Sequence, residues 1–358
     1  IAQKNILSYL CCTMYKKIIR PLLFDYDPEK VHNFTINRLS GSLFPSILKM
    51  FLGFEDKKLE TKVGRLTFRN PIGLAAGMDK NATALAGWDA MGFGFAEAGT
   101  VTPLPQDGNP KPRMFRLPEY GAVINRLGFN NAGADEFEKN LESSKEKISK
   151  DFIVGVNIGK NKHTELDDAY QDYKFSFEKC FETADYFTIN VSSPNTEGLR
   201  QLQQKKFLDE ILKHLQQLNN ELDTTFSDTA KDIYLKIAPD LTEAELDDII
   251  QVSIDNNITG LIATNTTISR DTLPAGNYES GGLSGKPLEP ISNSVLKYVM
   301  NKADGKLVVI ACGGISSYDD VKEKMDLGAS LVQVYTGLIY EGPGMIRQIK
   351  KAMAASRK

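Results

Sequence analysis

The sequence predicts an α/β protein of the TIM-barrel class, a closed (β/α)8 barrel preceded by a small helical unit. Three observations predict it. From about Leu66 onward, short and nearly continuous apolar runs alternate with amphipathic helical patterns, the sign of a parallel sheet joined by crossover helices. The alternation repeats eight times over roughly 290 residues, about the size of a closed barrel with insertions. Nearly every apolar run ends in glycine, amide, hydroxyl or lysine residues, the groups expected where the loops after the strands carry the chemistry. An open doubly wound sheet is the alternative, weakened because no GxGxxG turn follows the first strand.

The elements follow in order. Residues 1–13 read as a leader or extraneous segment, without the Arg/Ser-rich character of a transit peptide or a signal-cleavage pattern. Residues 14–55 form a helical unit. Asp27-Pro28-Glu29 is a helix start, with Asp at the N-cap, Pro at the first position and Glu in the first turn. Phe44, Ile47, Leu48 and Phe51 then make a stripe at helical spacing. Basic Lys16, Lys17 and Arg20 mix with Ile18, Ile19, Leu22, Leu23 and Phe24. This unit carries more apolar surface than two helices can bury against each other. Either both helices dock on the main domain, or the unit dips apolar side chains into a membrane surface between basic residues.

Residues 56–358 form the barrel. Strands are expected at Asn70–Ala75, Phe95–Val101, Phe152–Ile158, Tyr186–Val191, Ile233–Ile237, Gly260–Thr264, Leu307–Ala311 and Leu331–Tyr335. Helical patterns separate them, among them Leu166–Thr183, Lys206–Leu222, Glu243–Asn256, Tyr318–Leu327 and Gly344–Ala354. The long Pro- and Gly-rich insertion from Thr102 to Gly133 reads as functional, since structureless loops of that length are uncommon in a compact domain.

Composition narrows the function classes. Hydrophobic residues make up 41% and charged residues 25%, an ordinary globular core. A net charge of −3 argues against nucleic acid as a partner. Cys11, Cys12, Cys180 and Cys312 lack metal-type spacing and suggest no disulfide framework, and His32, His163 and His214 share no metal-like spacing. No metal is expected. No run approaches the roughly 18 apolar residues of a spanning helix.

The strand ends carry the chemistry. The fourth runs into Asn190-Val191-Ser192-Ser193-Pro194-Asn195-Thr196, crowding amides and hydroxyls where a polar helix cap is the plainer alternative. The other strands deliver Ala75-Ala76-Gly77 with Lys80, Gly99-Thr100, Asn157, Lys236, Thr264 to Thr267, Gly313-Gly314, and Tyr335-Thr336-Gly337. Eight such ends are improbable as packing, because each buried polar group needs a partner. The glycines around strands seven and eight, with Gly282 to Gly285, suit a phosphate. Lys236 fits the anionic edge of a reduced flavin, or a Schiff base. Asn125, Asn130, Asn190, Asn195 and Asn265 suit a small planar substrate bearing amides. Ser193 or Lys80 stands nearest the chemistry.

These residues resemble a known family. Asn70 to Asn81, Asn125 to Asn131, Asn190 to Arg200, Thr264 to Thr267 and Gly281 to Pro287 are similar to motifs of the dihydroorotate dehydrogenases, in order, with the resemblance running from about Met14 to the C-terminus. Ser193 at the base position, where class 1 has cysteine, and the helical unit containing Asp27 to His32 resemble class 2, the membrane-associated, quinone-reducing branch.

The resemblance implies FMN bound by Ala75, Ala76, Gly99, Thr100, Asn157, Asn190, Lys236, Thr264, Ser284, Gly285, Gly314, Tyr335 and Thr336. It implies dihydroorotate bound by Lys80, Asn125, Arg126, Leu127, Gly128, Phe129, Asn190, Asn195, Asn265 and Thr266. Ser193 would take the C5 proton, helped by a path through Thr196 and water beside Phe129. Lys80 would pair with the substrate carboxylate. Quinone would enter under the N-terminal helices near His32, Arg116 and Tyr335, although His32 could merely pack and Arg116 could be a surface residue. The implied enzyme oxidises dihydroorotate to orotate in pyrimidine synthesis. It is expected to be a monomer, peripheral on the cytoplasmic face of a bacterial inner membrane, with the mitochondrial inner membrane as the alternative. The alternatives are another FMN barrel (a class 1 enzyme or a dihydrouridine synthase) and a non-catalytic FMN-binding barrel.

Overall fold

Eight parallel strands close into one barrel in the computed structural model, which describes residues 13–226 and 230–357. They are β1 (Ile72–Leu74), β2 (Phe95–Val101), β3 (Ile153–Ile158), β4 (Tyr186–Asn190), β5 (Asp232–Ile237), β6 (Gly260–Ala263), β7 (Val308–Cys312) and β8 (Leu331–Val334). Each pairs with the next in sequence, and β8 returns to β1 through Val332 opposite Ile72. The expected strands correspond to these within a few residues at each end, and the expected helices to those at Ala169–Lys179, Lys205–Phe226, Glu243–Asp255, Tyr318–Asp326 and Met345–Ser356. Cys11, Cys12 and all of the expected leader except Thr13 lie outside the described residues. Cys180 and Cys312 are free thiols.

Side-chain alternation splits each strand between two cores. Outward residues such as Ala96, Val154, Phe187, Leu235 and Val309 pack under the helices. Inward residues build the barrel's interior: Phe95, Tyr186, Tyr234, Ile262, Ile310 and Leu331 form a separate cluster, joined by Val63 and Phe68. Those last two come from an antiparallel hairpin, Thr61–Val63 with Leu66–Phe68, that plugs the bottom of the barrel. Phe68, Phe95, Tyr186 and Tyr234 meet edge-to-face in sequence, at centroid distances of 5.1, 6.4 and 5.4 Å. Gly73 and Gly155 make room for these rings. A Cβ at Gly155 would stand 2.0 Å from Cζ of Tyr186.

The insertion after β2 is not structureless. Met114–Leu117 and Ala122–Asn125 form a hairpin, and Gly282–Gly285 from the β6–β7 connection adds a third antiparallel strand. This sheet roofs one side of the rim. Phe129 and Gly128 follow it with φ of +53° and +72°. A Cβ at Gly128 would fall 2.8 Å from the Asn109 amide, so the turn needs glycine there.

The N-terminal unit contains a π-turn (Tyr15–Ile19), α1 (Arg20–Phe24), α2 (Pro28–Leu39) and α3 (Leu43–Leu52). Asp27 caps α2 through Lys30 N, with Pro28 at the first position, as its sequence predicts. One face docks. Tyr15 OH and Arg20 Nη1 donate to the carbonyls of Ile339 and Tyr340, and Leu39 is fully buried. The opposite face does not: Leu43 is 81% exposed, Met50 65% and Leu22 60%, with Ile18, Phe34, Phe44, Ile47 and Phe51 exposed beside them. No described helix is long and apolar enough to cross a membrane.

Candidate active site

The interior layers set the chemistry of the barrel mouth. Above Phe95, alternation turns Glu97 inward, and the same step on other strands turns in Thr188, Lys236 and Gln333. Glu97 is fully buried and accepts from Asn157 Nδ2 (2.7 Å), Thr188 Oγ1 (3.0 Å) and Gln333 Nε2 (2.6 Å). Lys236 Nζ lies 4.0 Å from it. One layer higher, Asn190 Nδ2 donates to Thr100 Oγ1 (2.9 Å) and Asn157 Oδ1 (3.1 Å). The buried carboxylate thus orients a ladder of amides that ends at the rim.

Above this ladder opens a polar cavity of about 990 Å³. Its lining includes Lys80, Asn125, Asn190, Ser193, Asn195, Lys236, Asn265 and Thr266, with Ser284, Gly285, Gly313, Gly314 and Thr336. Asn195 Nδ2 donates to Asn125 Oδ1 at 3.3 Å, and Asn265 Nδ2 to Ser192 Oγ at 2.9 Å. Ser193 Oγ accepts from Asn195 N at 3.3 Å. Thr196 Oγ1 is buried with no hydrogen-bond partner among the described residues. Lys80 forms no ion pair among them either, and burial pulls its pKa down to about 8.

A second cavity, of about 1340 Å³, lies beneath the N-terminal helices. Its walls are almost wholly apolar, with Ile19, Leu23, Val31, Leu48, Met78 and Leu338 among them. The polar groups on this wall include His32 and Arg116. Burial, helped by the charge on Lys80, depresses the His32 pKa to about 3, so this imidazole is neutral near pH 7. Arg116 donates to the carbonyls of Phe24 and Tyr26 and lies over the Phe24 ring at 4.5 Å. Tyr335 lines both cavities.

The donor set fits a flavin. Lys236 is a buried ammonium that lines the polar cavity and hydrogen-bonds to no acceptor among the described residues, and Gln333 Oε1 is buried without a partner. At the other end, Gly285, Gly313 and Gly314 have φ of +96°, +118° and +79° and present bare backbone beside the paired hydroxyls of Ser284 and Thr336. Such a cradle suits a phosphate.

Most residues singled out in the sequence meet in these two cavities. Gly99 and Asn157 do not line either one; the Asn157 side chain acts from below, between Glu97 and Asn190. Arg126 turns away, bonding Glu279, Ser280 and the Pro112 carbonyl and stacking on Phe115. Glu97, Gln333 and Arg200 were missed. A charged residue inside the apolar run Phe95–Val101 was the available signal for Glu97. Arg200 pins the Ser192 and Thr266 carbonyls together at 3.1 Å each.

Fold and rim together define a (β/α)8-barrel enzyme with a polar site and an apolar one sharing a wall. The dihydroorotate dehydrogenase family description matches residues 58–356. A dihydroorotate dehydrogenase (quinone) of Christiangramia forsetii is 47% identical over 94% of this chain and 98% of its own length. One from Gloeobacter violaceus is 46% identical, over 94% and 93%. A crystal structure of the Eimeria tenella enzyme in complex with ferulenol superposes with a TM-score of 0.84, at 39% identity, over 92% of this chain and 91% of that one. The chain belongs to the dihydroorotate dehydrogenase family, whose members are flavin-dependent.

Proposed function

We propose that this enzyme oxidises dihydroorotate to orotate with FMN and passes the electrons to a membrane quinone, in pyrimidine synthesis. One observation carries the reading: a polar, amide-ringed cavity and a larger apolar cavity meet at Tyr335. A soluble planar substrate suits the first, and a lipid-soluble acceptor suits the second. The Christiangramia forsetii and Gloeobacter violaceus relatives are named dihydroorotate dehydrogenase (quinone), which supports the same acceptor.

FMN would supply the acceptor for the hydride leaving C6. Lys236, Thr100, Asn190 and Gln333 would hold its ring, and Ser284, Gly285, Gly314 and Thr336 its phosphate. Lys80 would bind the substrate carboxylate, and Asn125, Asn195 and Asn265 its amide edges. Ser193 Oγ takes the C5 proton. A hydroxyl is a weak base, so the proton must pass on, and the unpartnered Thr196 Oγ1 suits that path.

The exposed apolar face of α1 and α3, with Lys16, Lys17 and Arg20 nearby, suits peripheral attachment to a membrane surface. Attachment there would set the apolar cavity beside the bilayer that supplies quinone. The proposed enzyme works as a monomer on the cytoplasmic face of a bacterial inner membrane. The test is anaerobic mixing with dihydroorotate. Bound flavin should bleach, and quinone should restore it while fumarate and NAD do not. No bleaching, or reoxidation by fumarate, would overturn the reading.

A further inference from the structure

Glu29 and Arg113 lie outside both cavities yet connect them. Glu29 sits in α2, one helical turn before His32 of the apolar cavity. Arg113 grips it with two parallel hydrogen bonds, Nε to Oε2 at 3.1 Å and Nη2 to Oε1 at 2.7 Å, and both side chains are largely buried. Lys111 Nζ adds a contact to Oε1 at 3.3 Å. The remaining arm of Arg113 donates to the carbonyls of Asp107 (2.6 Å) and Asn109 (2.8 Å). Asn109 then donates through Nδ2 to the carbonyls of Asn195 and Arg126, each at 3.0 Å. Four hydrogen bonds therefore run from the N-terminal helix through Arg113 and Asn109 to the backbone of Asn195, which lines the polar cavity.

We propose that Glu29 and Arg113 are a positioning pair for the substrate end of the polar cavity. They hold Asn195 and its loop in register without touching substrate. A fork-to-carboxylate pair is directional, so it transmits position as well as charge. The groups facing Lys80 are Asp79, Glu29, Arg113 and His32. Asp79 is already committed to the amides of Thr83 and Ala84 and to Trp88 Nε1. Glu29 favours the charged lysine and Arg113 disfavours it, so the two partners of one ion pair act on Lys80 in opposite directions.

The inference rests on the proposed function, and one experiment keeps the two distinguishable. Orotate is titrated into the FMN-loaded full chain and its affinity is read from flavin absorbance across a pH series. If wild-type enzyme does not bind orotate, the proposed function fails. If it binds, the positioning pair makes three demands. Glu29→Gln moves the alkaline loss of affinity down by roughly half a pH unit, and Arg113→Gln moves it up by about as much. Arg113→Lys keeps the charge but loses the fork: the limb stays, while affinity falls roughly tenfold, the size of a lost positioning hydrogen bond. Shifts of the same sign in the two Gln variants, or unchanged affinity in Arg113→Lys, would overturn the proposal. So would loss of flavin and of cooperative melting in Arg113→Lys, which would make the pair a stability element alone.

Discussion

The ammonium of Lys236 lies 4.0 Å from the carboxylate of Glu97 at the floor of the polar cavity, and both side chains are almost completely buried. Neither group has another charged partner within ion-pair distance among the described residues. Glu97 also accepts from Asn157, Thr188 and Gln333, so it fixes the floor on which the proposed flavin ring would rest.

Removing that carboxylate leaves a buried ammonium without a counter-charge. Glu97→Ala is expected to lower stability by roughly 3–5 kcal/mol, as breaking buried pairs does. Urea unfolding of the FMN-loaded chain measures it. A midpoint close to wild type would show that Lys236 needs no counter-charge here.

Ser193→Ala should keep FMN bound and slow flavin reduction by dihydroorotate roughly a hundredfold or more at neutral pH, the usual cost of losing a general base. Anaerobic stopped-flow absorbance reads the step directly. Single-turnover reduction at the wild-type rate would remove Ser193 from the chemistry.

Lys80 is protonated below its pKa of about 8 and loses its charge above it. If it binds the substrate carboxylate, kcat/KM for dihydroorotate must fall on the alkaline side with a limb near that value. Lys80→Met should abolish the limb and reduce kcat/KM by roughly ten- to a hundredfold, the worth of a charged hydrogen bond. A limb that survives the substitution belongs to another group.

The two half-reactions should separate by mutation. His32→Ala and Arg116→Ala are expected to leave dihydroorotate-driven bleaching near wild type and to slow quinone reoxidation about tenfold. Because His32 is held at about 3, reoxidation should show no His32 titration between pH 5 and 8. Equal losses in both half-reactions would argue against an acceptor site in the apolar cavity.

Leu43 and Met50 are the most exposed large apolar residues of α3. Replacing both with Glu should weaken co-sedimentation with phospholipid vesicles at least roughly tenfold. Bleaching by dihydroorotate in solution should be unaffected. Unchanged vesicle binding would assign that face another role.

Much of the barrel was legible because its signals are local. The run Phe95–Val101 is continuous and apolar but for Glu97 and Thr100, and β2 occupies those residues. The roof sheet was not legible. Gly282–Gly285 is four residues long and pairs with Ala122–Asn125, far away in sequence, so neither strand announces its partner. Arg126 shows the same limit. The resemblance implies a substrate contact there, while the sequence does not show that Glu279 and Phe115, brought together by the roof, hold its guanidinium.

By itself the sequence determined the order of strands and helices, the Asp27 cap, the polar strand ends and the family. All of these rest on near-neighbour patterns: alternation, helical spacing, capping and motif order. Only the tertiary structure decided that Glu97 faces Lys236, that Glu29 is bound to Arg113, and that Tyr335 walls two cavities. Those pairings join residues far apart in the chain. They exist only once the barrel closes and α2 docks, when the cost of burying each charge selects which partner it meets.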